Sequence, residues 1–154
     1  MLLVKKVCSK AAVCGLVFVS LAMVQNAQAM SHAESIATRQ SAFERIESQT
    51  ERVADQVSKS QVDWQALQVA SEQLLEDSLL LSAAFPVGSQ QGSKAKESVW
   101  KKPAKFQQLL TDMQQGYQQV VDGVQSQSVE SVEAGLDAAN STCRSCHRSY
   151  RSRW

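Results

Sequence analysis

The chain has 154 residues, with 16 Lys and Arg against 15 Asp and Glu and a formal net charge of +1. So even a balance argues against a nucleic-acid binder, which would concentrate positive charge. The length suits one domain with a real core.

The first 29 residues read as an export signal. Lys5, Lys6 and Lys10 give a positive start, Ala11 to Val24 is apolar apart from Gly15 and Ser20, and Ala27-Gln28-Ala29 is a small-x-small cleavage pattern. Cleavage there makes Met30 the first mature residue. The apolar run of about 14 residues falls short of the ~20 that a helix needs to cross a bilayer. Cys14 follows Ala11-Ala12-Val13, which is not a proper lipobox. The mature chain, 30–154, is therefore expected in the periplasm without a membrane anchor. Three of the 16 basic residues leave with the signal and no acidic one does, so 13 basic residues face 15 acidic ones, a formal −2.

The mature chain reads as four helices. Ser31-x-x-Glu34 is a capping box, followed by Ile36, Phe43, Ile46, Thr50, Val53 and Val57 at helical spacing. Ser60-x-x-Asp63 marks the next start, before Trp64, Leu67, Ser71, Leu74, Ser78 and Leu81. Pro103 suits a first helical position, and Phe106, Leu109, Leu110, Met113, Tyr117, Val120 and Val124 share a face behind it. Ser128 can cap a last helix carrying Val129, Val132, Leu136, Ala139, Cys143, Cys146 and Tyr150. Nothing alternates with period two, so no strand is expected. Two of the links are short and one, about Ala84 to Lys102, is long and holds Pro86, Gly88 and Gly92. The expected fold is all-α, an up-down-up-down four-helix bundle packed at about 20°.

The chemistry lies in Cys143-Arg144-Ser145-Cys146-His147. Cys-x-x-Cys-His is the c-type haem attachment signature. On a helix these three positions share a face, with Cβ atoms about 5–6 Å apart. Two thiols can then reach two vinyl groups of one haem, and the imidazole points at its iron. A structural zinc site needs four ligands, and the other histidine, His32, stands at the far end of the mature chain. A thioredoxin-like dithiol would follow a strand in an α/β pattern, and that pattern is absent. One haem c, held by two thioethers with His147 on the iron, is expected.

The mature chain resembles the cytochrome c′ family, the class II c-type cytochromes. The resemblance rests on Cys143-Arg144-Ser145-Cys146-His147-Arg148-Ser149-Tyr150-Arg151 at the C-terminal end, on Arg39-Gln40-Ser41-Ala42-Phe43, and on Ala83-Ala84-Phe85-Pro86-Val87-Gly88 with Trp100 downstream. It implies that Arg39, Gln40, Phe43, Phe85, Tyr150 and Arg151 line the haem. Arg39 would approach the propionates, Phe43 would cover the sixth iron position, and Arg151 would lie beside His147. Many members have a Trp where Ser82 stands, so one distal wall is expected to be open or differently filled. Met113 is expected in the core rather than on the iron, and His32 at the solvated first turn. Arg144 and Arg148 are expected in solvent or steering a redox partner.

The resemblance implies a non-enzymatic, high-spin haem protein that binds nitric oxide and carbon monoxide and exchanges electrons with an unidentified periplasmic partner. It also implies an antiparallel homodimer through the first two helices. The rivals are a low-spin electron carrier of the cytochrome c-556 type, which needs a second strong axial ligand, and a peroxidase, which needs a distal acid–base pair. Neither feature is evident.

Overall fold

The computed structural model describes the backbone of residues 13–153 and the side chains of residues 32–153. Lys5, Lys6 and Lys10, read from the sequence as the start of an export signal, lie outside the described residues. Five α-helices follow in order: α1 (Val13–Val57), α2 (Trp64–Leu80), α3 (Ser98–Lys101), α4 (Pro103–Gln125) and α5 (Val129–Tyr150). A 3-10 turn, Leu81–Ala83, extends α2. The four long helices form the bundle, and α3 is one turn inside the long link.

Three of the expected starts need comment. Asp63 caps α2 by accepting a hydrogen bond from the Ala66 N–H at 3.0 Å, so Ser60, three residues earlier, is not the cap. Ser128 caps α5 as expected, accepting from the Ser131 N–H at 3.2 Å. Ser31 does not start a helix in the full-length chain, because α1 runs unbroken from Val13. The helix continues through the residues upstream, so no end exists there to cap. The turn between α4 and α5 closes with two backbone bonds, Ser128 N–H to Gly123 C=O at 2.8 Å and Gln127 N–H to Val124 C=O at 3.1 Å. This Schellman pattern puts Gln127 at φ +52°, a place usually taken by Gly.

The apolar stripes meet as their spacing requires. Ala42, Ile46, Val53 and Val57 of α1 join Leu67, Leu74 and Leu81, then Phe106, Leu110, Met113, Tyr117, Val120 and Val124, then Val132, Leu136, Ala139 and Tyr150. Met113 sits in this core. Tyr117 is fully buried, its hydroxyl 3.1 Å from Thr50 Oγ1, and burial pushes its pKa up to about 12, so the phenol stays neutral. Asp77 is buried too, and Arg45 compensates it from α1 through contacts of 2.6–3.0 Å.

The α4–α5 seam is the tightest in the molecule because glycines let the backbones touch. A Cβ at Gly116 would stand 2.6 Å from the Ala139 nitrogen, one at Gly123 2.7 Å from the Val132 nitrogen, and one at Gly135 2.7 Å from the Val120 nitrogen. The seam between α1 and α5 is looser than the α1–α2, α2–α4 and α4–α5 seams. Gly135→Ala tests the close seam. Helix propensity alone favours Ala by about 1 kcal/mol, yet the added methyl meets backbone that cannot turn aside. The variant is expected to lose roughly 1–3 kcal/mol, read from the urea midpoint of the haem-loaded protein.

Candidate haem site

The last two turns of α5 carry the reactive groups. Val132, Gly135, Leu136, Ala139, Thr142 and Tyr150 face the core, which leaves Cys143 and Cys146 half-buried at the edge of that face and His147 exposed. Cys146 packs against the core, and the Cys143 thiol points back at the Ala139 C=O, 3.7 Å away. Both thiols are free. Burial pushes both upward, Cys146 to about 11 with a further push from Cys143.

Burial lowers the His147 pKa, the Arg151 guanidinium lowers it further, and Glu47 opposes both. The balance favours neutral imidazole, the form a metal takes. Glu47 was not singled out in the sequence. It lies on α1 one turn beyond Phe43 and its charge reaches both Cys143 and His147. No local motif marks it, since only the packing of α1 toward α5 brings it there.

The tail beyond α5 is tied to the long link. The Lys96 N–H donates to the Tyr150 C=O and the Ser152 N–H to the Lys94 C=O, each at 2.8 Å, and Ala95 bridges to Arg151. Lys96 Nζ donates to the Arg148 C=O at 3.0 Å and Ser98 Oγ to the Ser149 C=O at 3.1 Å. These bonds set Arg151 beside His147. Arg144, Arg148, Arg151 and Arg153 join Lys94, Ser152 and His147 around a cleft of about 410 Å3. The outer side of His147 is therefore open and strongly basic.

Arg39 is the group that points inward. It is only 3% exposed. Its guanidinium donates to the Ala84 C=O at 3.0 Å, to Ser89 Oγ at 2.9 Å and to the Ser89 C=O at 2.5 Å, and it lies 4.7 Å from the centre of the Phe85 ring. All these acceptors are neutral, and no carboxylate among the described residues pairs with it. Burial accordingly pulls its pKa down. Asp77, the other buried charge, has its counter-ion, whereas Arg39 lacks one. A haem propionate is the kind of anion that would supply it.

Phe85 stands edge-on to Phe106 at 4.8 Å, and Phe106 stands edge-on to Tyr150 at 5.2 Å. An aromatic ladder thus runs from Arg39 to the end of α5. Trp100 Nε1 donates to the Phe85 and Pro86 carbonyls, each at 3.1 Å, and fixes the link beneath the ladder. Phe43 is half-buried against the core, whereas Gln40 is exposed. Ser82 is exposed and accepts from Gln114 Nε2 at 2.8 Å, so it turns toward α4. The ring of His32 rests on Gly88 of the long link, where the sequence had suggested only a solvated first turn.

The residues fit a haem. Two thiols and an imidazole share one end of α5, a buried cation lacks an anion, and the α1–α5 seam is the loose one. Arg39→Ala tests the cradle. It strands the Ala84 and Ser89 acceptors and removes the Phe85 contact, for an expected loss of about 2–4 kcal/mol. Amide exchange over residues 84–93 should quicken before that of α4.

A family profile described as Cytochrome C′ matches residues 34–151. Solved structures agree in fold. Cytochrome c′ from Rubrivivax gelatinosus is 23% identical with a TM-score of 0.71, over 77% of this chain and 94% of that one. Cytochrome c′ from Thermochromatium tepidum is 14% identical with a TM-score of 0.72, over 79% of this chain and 96% of that one. A ferrous variant of cytochrome c prime from Alcaligenes xylosoxidans with bound NO is 22% identical with a TM-score of 0.73, over 80% of this chain and 97% of that one. Among curated proteins no sequence relative matches. Cytochromes c′ are themselves an example of the up-down-up-down bundle, and they imply a covalent haem c, for which Cys143 and Cys146 supply the C-x-x-C pair. By its profile match over 34–151 and by its fold, the chain belongs to the cytochrome c′ family.

Proposed function

We propose that this protein is an exported, high-spin haem protein that binds nitric oxide and carbon monoxide at a five-coordinate iron in the periplasm and also exchanges electrons. The observation that carries the reading is Phe43. It packs half-buried against the core one turn before Glu47, whose charge reaches Cys143 and His147. Between Arg39 and Lys59 the helix offers no Met, His or Lys that could take the sixth iron position. The Alcaligenes xylosoxidans structure with bound NO supports the choice of ligand.

The haem iron supplies the ligand-binding and redox centre. Each thiol would hold the haem through a thioether, its S–H adding across a vinyl group. Cys143 and Cys146 would so anchor the macrocycle, and His147 would offer a neutral nitrogen to the iron. Arg39 neutralises a propionate, with Gln40 beside it at the solvent edge. Phe85 and Tyr150 hold the apolar wall through Phe106. Phe43 would cover the other face and would give bound dioxygen no hydrogen bond. The basic cleft around His147 suits an acidic face on a redox partner. Val69, Leu79 and Leu80 of α2 are 69%, 53% and 39% exposed, apolar surface that suits a homodimer through α1 and α2.

The spectrum of the ferrous protein without added ligand is the test. It should be high-spin, and a low-spin spectrum would hand the function to the electron-carrier alternative. Phe43→Ala should raise carbon monoxide affinity tenfold or more, since ~1.4 kcal/mol of relieved crowding already gives that factor. Arg151→Ala removes a positive charge beside His147. The reduced, less positive haem loses its support, so the midpoint potential should fall, by an amount that solvent screening limits. An unchanged potential in a titration of both proteins would leave Arg151 only its link to Ala95.

A further inference from the structure

Cleavage after Ala29 leaves a mature chain that begins Met30-Ser31-His32 with a free amine on Met30. A terminal amine, two amides that are not proline and an imidazole at the third position present four nitrogens in sequence. Together they can wrap one metal ion in a plane. Planar nitrogen coordination suits copper(II) and nickel(II), whereas zinc prefers a tetrahedron.

Cleavage would free these nitrogens from the helix that now runs through them. A helical N–H at residue 31 or 32 looks back four residues for its acceptor, to residue 27 or 28. Both lie in the segment that cleavage removes, so the two amides join the first four N–H groups of the new helix, which have no partner within it. His32 is half-buried at the surface, with its ring lying on Gly88. Among the described residues it makes no hydrogen bond or ion pair. Other soft ligands are committed: Cys143, Cys146 and His147 belong to the haem site, and Met113 is 4% exposed in the core.

We propose that the mature N-terminus is a copper(II) or nickel(II) site, built from the Met30 amine, the Ser31 and His32 amide nitrogens and His32 Nδ1. The proposal rests on cleavage after Ala29. Binding leaves the metal in its divalent state. The ammonium gives up one proton and each amide one, all to solvent, so affinity falls steeply as the pH drops. A Cβ placed at Gly88 would lie 3.4 Å from Nδ1. The Cε1 atom, at 2.6 Å, and Nε2, at 3.1 Å, face the link more closely than Nδ1 does, and the ring turns on Gly88 to chelate.

The test uses the processed, haem-loaded protein from the periplasm. Intact mass fixes the N-terminus first. Copper(II) chloride is then titrated in, with the copper followed by electron paramagnetic resonance apart from the haem signal. The expected result is one copper per chain with hyperfine splitting from four nitrogens. That signal should vanish in His32→Ala and also in Ser31→Pro, which keeps the imidazole but lacks one amide proton. Haem absorbance reports that both variants are folded. Copper binding that survives Ser31→Pro overturns the site, and so does a chain shown to begin at Met30 that binds none. A mass showing another first residue overturns the cleavage itself, and the site with it.

Discussion

A guanidinium held in a neutral cradle organises this molecule. Arg39 reaches across 45 residues to Ala84 and 50 to Ser89, and its charge lies over Phe85. Burying a cation is costly, and hydrogen bonds to neutral oxygens offset only part of that cost. The cradle therefore forms only if the long link folds back onto α1. Once it does, Phe85 is in place for Phe106, Phe106 for Tyr150, and the end of α5 follows. Trp100 locks the same link from beneath by bonding the Phe85 and Pro86 carbonyls.

The bundle divides into a rigid side and a working side. On the rigid side, α4 and α5 approach until Gly116 and Gly135 leave no room for a methyl group. That contact fixes the rotation of α5 about its axis and so decides which of its residues face inward. On the working side, α1 and α5 pack loosely, with Phe43 and Glu47 on one helix and Cys143, Cys146 and His147 on the other. A packed interior resists intrusion, and this side of the bundle is packed less closely than the other.

Charge is sorted to match. Asp77 is buried with its partner Arg45, and the pair ties α1 to α2. The arginines of the C-terminal turns surround the exposed side of His147 instead, where solvent screens them from one another. After burial, Arg151 alone among them lowers the basicity of His147, while together they hold a positive field at the protein surface.

Periodicity and local motifs were enough to read four long helices, the Pro103 start, the Ser128 cap and the haem-attachment pair from the sequence. Each of these depends on residues within a turn or two of one another, which is the range over which spacing carries information. The start of α2 at Asp63 rather than Ser60 shows the limit, because two side chains with similar capping chemistry stand three residues apart and only the path of the chain chooses between them. The unbroken α1 shows another, because a capping box acts only where a helix has an end. The Ser89 anchor of Arg39, the turn of Ser82 toward Gln114, the reach of Glu47 to the haem end and the rest of His32 on Gly88 were decided by tertiary structure alone. All four join residues more than 30 positions apart, and no local pattern records which distant backbone will arrive to meet them.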